Sequence, residues 1–195
     1  MILNRFARVL TAVVVLTAAA SGFAQNNDKP FEQFQDMVYG DVHGTGLMMD
    51  VFVPTGEKNG LAIVDIASGA FHSDRGKIRD HESARFYHIF TNHGYTIFAI
   101  RPGSVTKYTA EEMVQHIKRG IRWVKAHAEE YGIDPERVGL VGASAGGHLA
   151  TLTAVQPEPG RPDADDPLQQ HNTDVAADGV FIPPTNFILW REEPP

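Results

Sequence analysis

The sequence contains no cysteine. Disulfide staples, thiolate metal sites and thiol nucleophiles are therefore excluded, and stability has to come from a packed core. Lysine and arginine number 17 against 24 acidic residues, no basic block occurs, and the formal net charge is −7. That balance repels polyanions, so neither nucleic acid nor an anionic membrane surface is expected as a partner. No apolar run approaches the roughly 20 residues that cross a bilayer. Dense metal-ligand spacing such as H-E-x-x-H is also missing. His72, His81, His88 and His93 are scattered as helix-surface histidines would be, so no metal is expected, and no cofactor.

What is present is 195 residues with 43% hydrophobic side chains, enough for one domain with a core of its own. Residues 1–24 carry Arg5 and Arg8, an apolar run over 9–20 and then Ser21-Gly22-Phe23-Ala24. This is the pattern of a secretory leader cut before Gln25, too short in its apolar part for a stable membrane span. Export to the periplasm or the outside of the cell is the expected localisation. Cleavage removes both arginines, which takes the net charge from −7 to −9. A polar segment, 25–36, follows the leader.

From residue 37 onward the pattern alternates strand and helix. Met37-Val38-Tyr39 and residues 47–53 predict a hairpin closed off by Pro54 and a turn-rich stretch. Residues 61–66 and 95–100 are near-continuous apolar runs, as strands buried on both faces are. A helix is expected over 83–93, and Thr109 with Glu112 forms a capping box ahead of a helical period that runs to Gly132. A short strand at 138–141, a helix over 145–155, a Pro- and Asp-rich surface loop over 156–167 and a last strand at 175–182 complete the order. Strands alternating with helices imply an α/β fold around a mostly parallel sheet.

At the junction of the strand at 138–141 and the helix that follows stands Gly142-Ala143-Ser144-Ala145-Gly146, a G-x-S-x-G pattern. In such an elbow the serine sits on a strained turn with its hydroxyl exposed, and the glycines make room for the close backbone. The N-terminus of the following helix favours a developing oxyanion there, and the Ala145 N–H is a natural donor to it. Ser144 is thus the candidate nucleophile.

Leu47 to Pro54, Tyr131-Gly132-Ile133-Asp134-Pro135-Glu136-Arg137-Val138 and Gly142-Ala143-Ser144-Ala145-Gly146-Gly147-His148-Leu149-Ala150 resemble the bacterial esterase/lipase branch of the α/β-hydrolases. That branch includes hormone-sensitive-lipase-like and feruloyl- or acetylxylan-esterase-like enzymes. The resemblance runs from about Tyr39 to Asn186 and is most specific between Tyr131 and Ala150. It implies an α/β-hydrolase sandwich and an esterase acting through an acyl-enzyme on Ser144. The substrate would be a small ester or an acetylated or feruloylated carbohydrate. It also implies an oxyanion loop after the third strand. Where the family has a His-Gly-Gly-Gly-type loop this chain reads Ala67-Ser68-Gly69-Ala70-Phe71, which makes Gly69 and Ala70 the further candidate donors beside the elbow glycines Gly142, Gly146 and Gly147.

A triad on this fold places its acid and then its histidine after the serine. His148, one turn into the serine's own helix, is better suited to packing or capping than to acting as base. His171 follows Asp163, Asp165 and Asp166 and so satisfies the chain order, but it precedes the last strand instead of following it. The three aspartates are expected to form a solvated loop, not a calcium site. Each further strand-helix step takes about 30 residues, and only 183–195 follow the last predicted strand. The expectation is a partial hydrolase domain over 37–195 that lacks the last strand-helix units. Its alternative to an active esterase is a non-catalytic relic without the triad Asp and His.

Overall fold

The computed structural model describes residues 29–187; the expected leader, 1–24, lies outside the described residues. Two long strands open the chain, β1 (Phe31–Val42) and β2 (Thr45–Pro54), joined at His43 and Gly44. Both turn residues have positive φ, 52° and 71°. Such a mirror-image turn matches the right-handed twist of a hairpin. β1 starts six residues earlier than the sequence pattern suggests, at Phe31 within the polar segment. An edge strand hides little: Phe31 is buried while its neighbours Glu32 and Phe34 to Asp36 are exposed, so no strict alternation marks it.

β3 (Ala62–Ile66), β4 (Thr96–Arg101), β5 (Val138–Ala143) and β6 (Ala177–Phe181) complete a six-stranded sheet in the order β1-β2-β4-β3-β5-β6. β1, β2 and β4 pair antiparallel, and β4, β3, β5 and β6 run parallel. Between β3 and β4 stand two helices, α1 (Arg75–Ser83) and α2 (Phe86–Asn92), where one was expected. Arg85, with φ 63°, breaks the helical path between them. α1 escapes the sequence pattern because Ile78 is its single buried residue. α3 (Ala110–Ala126) carries the expected Thr109–Glu112 capping box, and a short α4 (Ala128–Tyr131) ends at Gly132, whose φ of 66° suits glycine. α5 (Ala145–Ala154) follows β5 directly.

Successive residues of β3 face opposite sides. Val64 and Ile66 join Phe98, Ile100, Leu140, Met113, Ile117, Ile121 and Leu149 in the larger core under α3 and α5. Ile63 and Ala67 join Phe52, Ile97, Ile78 and Tyr87 in a smaller one under α1 and α2. Burying each such Ile, Leu or Phe contributes about 1.5–3 kcal/mol, so the larger cluster is the main source of stability.

Candidate active site

β5 delivers the chain to Ala143 and α5 begins at Ala145, which leaves Ser144 alone at the corner with φ 52° and ψ −123°. A non-glycine residue in so sparsely populated a region costs about 1–3 kcal/mol and persists only when its surroundings impose it. Here they do. The Ser144 N–H donates to the Phe181 carbonyl at 2.9 Å, and the Gly146 N–H donates to the Ser68 carbonyl at 3.2 Å. The glycines are required by backbone, not by side chains: a Cβ on Gly142 would lie 2.4 Å from the Gly146 carbonyl, and one on Gly146 would lie 2.4 Å from the Ile66 oxygen. On Gly147 it would stand 3.0 Å from the Gly142 oxygen. The corner exposes Ser144 at the carboxyl end of the parallel strands, and the N–H of Ala145, first residue of α5, lies outside that helix's own hydrogen-bond ladder.

After β3 the chain makes a second tight turn. Gly69 and His72 exchange backbone hydrogen bonds of 2.9 Å in both directions, and Ala70 and Phe71 between them have φ of 50° and 59°. Gly69 and Ala70, the two expected oxyanion donors of this loop, differ in their backbone bonding. Closing the turn commits the Gly69 N–H to His72, whereas the Ala70 N–H makes no hydrogen bond among the described residues. The same loop meets the elbow through Ser68, and the Phe71 carbonyl is fixed by the Val105 N–H at 2.8 Å.

The histidines fall in different places. His148 donates from Nδ1 to the Pro184 carbonyl at 3.0 Å, and its ring lies edge-on to Phe71 and Phe187. His171 precedes the amino end of β6; its carbonyl accepts from Arg122 Nε at 3.0 Å. Ser144 lies beyond the carboxyl end of the neighbouring parallel strand β5, whereas His171 lies in the loop that leads to the amino end of β6. Asp166 is not merely solvated, as expected, but caps the 3-10 turn Pro167–Gln170 and pairs with Arg119 at 2.7 Å. Asp163 and Asp165 are exposed.

The reading of His81 as a surface histidine is also corrected. Its Nδ1 stands 2.8 Å from Oδ2 of Asp65, a carboxylate 1% exposed in the middle of β3, which also accepts the Tyr87 hydroxyl at 2.9 Å. Burial alone would lower the His81 pKa, but the Asp65 hydrogen bond and charge outweigh it and the net direction is up. His88 packs edge-on to Phe31, and burial lowers its pKa. Sequence reasoning missed the Asp65–His81–Tyr87 cluster because its members lie 16 and 22 residues apart. The one local signal was an aspartate inside an otherwise apolar strand.

Beside this cluster a cleft of about 330 Å³ opens on the α1/α2 side, lined by Phe86, Phe90, Val141, Gly142, Ala143 and Phe181. It lies beneath the elbow, with Gly142 and Ala143 of the elbow and Phe181, which accepts the Ser144 N–H, among its walls. Among the described residues no group of His, Asp and Glu could hold a metal ion, and no helix is long and apolar enough to cross a membrane.

A serine elbow between a buried parallel strand and a helix, on a sheet of this order, defines an α/β-hydrolase. The chain belongs to the BD-FAE family, which it matches over residues 49–194. It is similar to a probable carboxylic ester hydrolase, LipM, of Mycobacterium tuberculosis, at 38% identity over 81 residues. That match covers 39% of this chain and 19% of the relative. Esterase 2 of Thermogutta terrifontis, solved with propionate bound, aligns with a TM-score of 0.63 at 25% identity, over 84% of this chain and 58% of that one. An acetyl ester-xyloside bifunctional hydrolase of Caldicellulosiruptor lactoaceticus shares the fold, with a TM-score of 0.61 at 20% identity, over 76% and 56%. The chain thus spans about a fifth of that curated relative and rather more than half of these solved neighbours.

Proposed function

We propose that this chain carries the nucleophile of an exported serine carboxylesterase. Ser144 Oγ attacks the ester carbonyl as a general base takes its proton, a role that neither His148 nor His171 fills among the described residues; the tetrahedral oxyanion faces the N–H groups of Ala145 and Ala70, the alcohol departs with that proton, and water releases the acid from the acyl-serine. The observation that carries this reading is the Ser144 corner itself, a strained backbone locked by Phe181 and Ser68 with the hydroxyl exposed. Short acyl groups are the favoured substrates, since the Thermogutta neighbour was solved with propionate. An acetylated or feruloylated carbohydrate fits the expected export of the chain.

The deciding experiment compares hydrolysis of a short-chain nitrophenyl ester by the wild type and Ser144→Ala. The wild type is expected to turn over and the variant to fall to background; equal rates remove the reading. A non-catalytic relic is favoured by two observations: the Gly69 N–H closes onto His72, and neither His148, tied to Pro184, nor His171 is placed as a base for Ser144 among the described residues. Retention of activity by wild type excludes it. Export is tested by amino-terminal sequencing of the secreted protein, which is expected to begin at Gln25.

A further inference from the structure

We infer that His148 is a positioning residue, which holds the Ala70–Phe71 turn in its strained form and thereby aims the Ala70 N–H at the oxyanion. The inference rests on the esterase reading for its catalytic consequence, but its structural half stands apart from it. A turn with positive φ at both alanine and phenylalanine does not hold itself, because neither residue prefers that region. One anchor is the Val105 N–H on the Phe71 carbonyl. The other is aromatic: the Phe71 ring meets the His148 ring at 5.8 Å and 80°, and Phe187 meets it at 4.7 Å and 67°. Such edge-to-face contacts fix both distance and tilt.

The placement follows from helix geometry. His148 is four residues after Ser144, and side chains on a helix lean toward its amino end, so the imidazole covers the turn that precedes it. Its Nδ1 donates to the Pro184 carbonyl at 3.0 Å, which fixes the ring plane and ties residues 183–187 across the start of α5. Pro183 in that segment also comes close to Gly147. One imidazole therefore joins three pieces of chain around the serine: the oxyanion turn, the first turn of α5 and the segment after β6. A hydrogen-bonding base for Ser144 is a different role, which the bond to Pro184 opposes.

Three variants separate the two contacts. His148→Phe keeps a ring for Phe71 and loses the donor to Pro184; His148→Asn keeps a donor and loses the ring; His148→Ala loses both. Amide hydrogen exchange, read by mass spectrometry on peptides covering 68–72 and 183–187, is combined with the rate at which a fluorophosphonate labels Ser144. Exchange over 68–72 is expected to quicken in His148→Ala and His148→Asn and to stay near wild type in His148→Phe. Over 183–187 it quickens in His148→Ala and His148→Phe. Labelling is expected to follow the 68–72 peptide, falling at least about tenfold in His148→Ala, less than the roughly hundredfold that loss of a whole oxyanion donor costs. Unchanged exchange over 68–72 in His148→Ala overturns the clamp. Faster exchange with unchanged labelling overturns its link to the oxyanion. A wild type that is not labelled at Ser144 overturns the esterase reading instead, while the exchange pattern still decides the clamp.

Discussion

Leu140 and Val141 are neighbours on β5, and each looks into a different half of the molecule. Leu140 is fully buried in the cluster that α3 and α5 close over the sheet. Val141 faces the other side, is only partly buried and borders the open cleft. On that second side α2 packs mainly against β1, β2 and β4, so β5 and β6 keep apolar surface uncovered beneath the nucleophile. The corner at Ser144 is therefore held from the packed face alone. The elbow is locked by Ser68, Gly142 and Phe181, and α5 sits on the packed side.

The largest expected effect tests that asymmetry directly. Leu140→Ala is expected to cost about 3 kcal/mol, the range of a buried Leu-to-Ala cavity. Val141→Ala, one residue on, should cost about 1 kcal/mol or less because part of its surface is already in water. Urea unfolding midpoints of the two variants give the comparison. Equal losses would mean that the two faces are packed alike.

The buried polar cluster is the next place to press. Asp65→Ala leaves the Tyr87 hydroxyl and the His81 ring without their shared acceptor, and removing one partner of a buried pair costs about 3 kcal/mol. Replacing both ends with apolar groups, Asp65→Leu with His81→Phe, is expected to cost less than Asp65→Ala alone. Equilibrium unfolding of the single and double variants decides whether the pair stabilises or merely fills the α1/α2 face.

His81 adds a dependence on pH with a definite sign. Its folded pKa is raised above its unfolded value, so the pair's contribution is fully present below about pH 6.5, the unfolded histidine value, and is lost as pH rises through the folded one. The stability gap between wild type and His81→Gln should accordingly be wider near pH 5.5 than near pH 9. A gap that widens with rising pH would place the charge on the wrong partner.

The packed face was legible in the sequence and the open one was not, for a physical reason. The runs at β3, β4 and β5, the period of α3, its Thr109–Glu112 box and the G-x-S-x-G corner are local patterns, each dictated by neighbours within a turn or a strand. The Asp65–His81 pair joins residues 16 apart, which no short window contains, while the positive φ at Arg85 and the closure of Gly69 onto His72 are local but fall on residue types that do not announce them. α1 was invisible because a helix with one buried residue, Ile78, shows no period. The strained corner at Ser144 was legible because such a turn needs particular glycines. The bonding of the Gly69 N–H was not legible, because it depends on how a two-residue turn closes.

The smallest expected effect lies at the open end of β6. Phe181 is 57% exposed and Ile182 is 85% exposed, so neither contributes much to the core, and Ile182 has a positive φ of 45° that a β-branched side chain resists. Surface of this kind beside a sheet edge invites pairing between molecules. Phe181→Ser with Ile182→Asn keeps the backbone carbonyl that accepts the Ser144 N–H and gives the strained position a residue that tolerates it. Thermal stability is expected to move by no more than about 0.5 kcal/mol, with any gain coming from residue 182. Binding of an apolar-surface dye and concentration-dependent association, measured by light scattering, should both fall. If the double variant instead unfolds more easily by several times that amount, the uncovered edge is a packed part of the fold, and the contrast between the two faces fails at the strand beside the one that carries the serine.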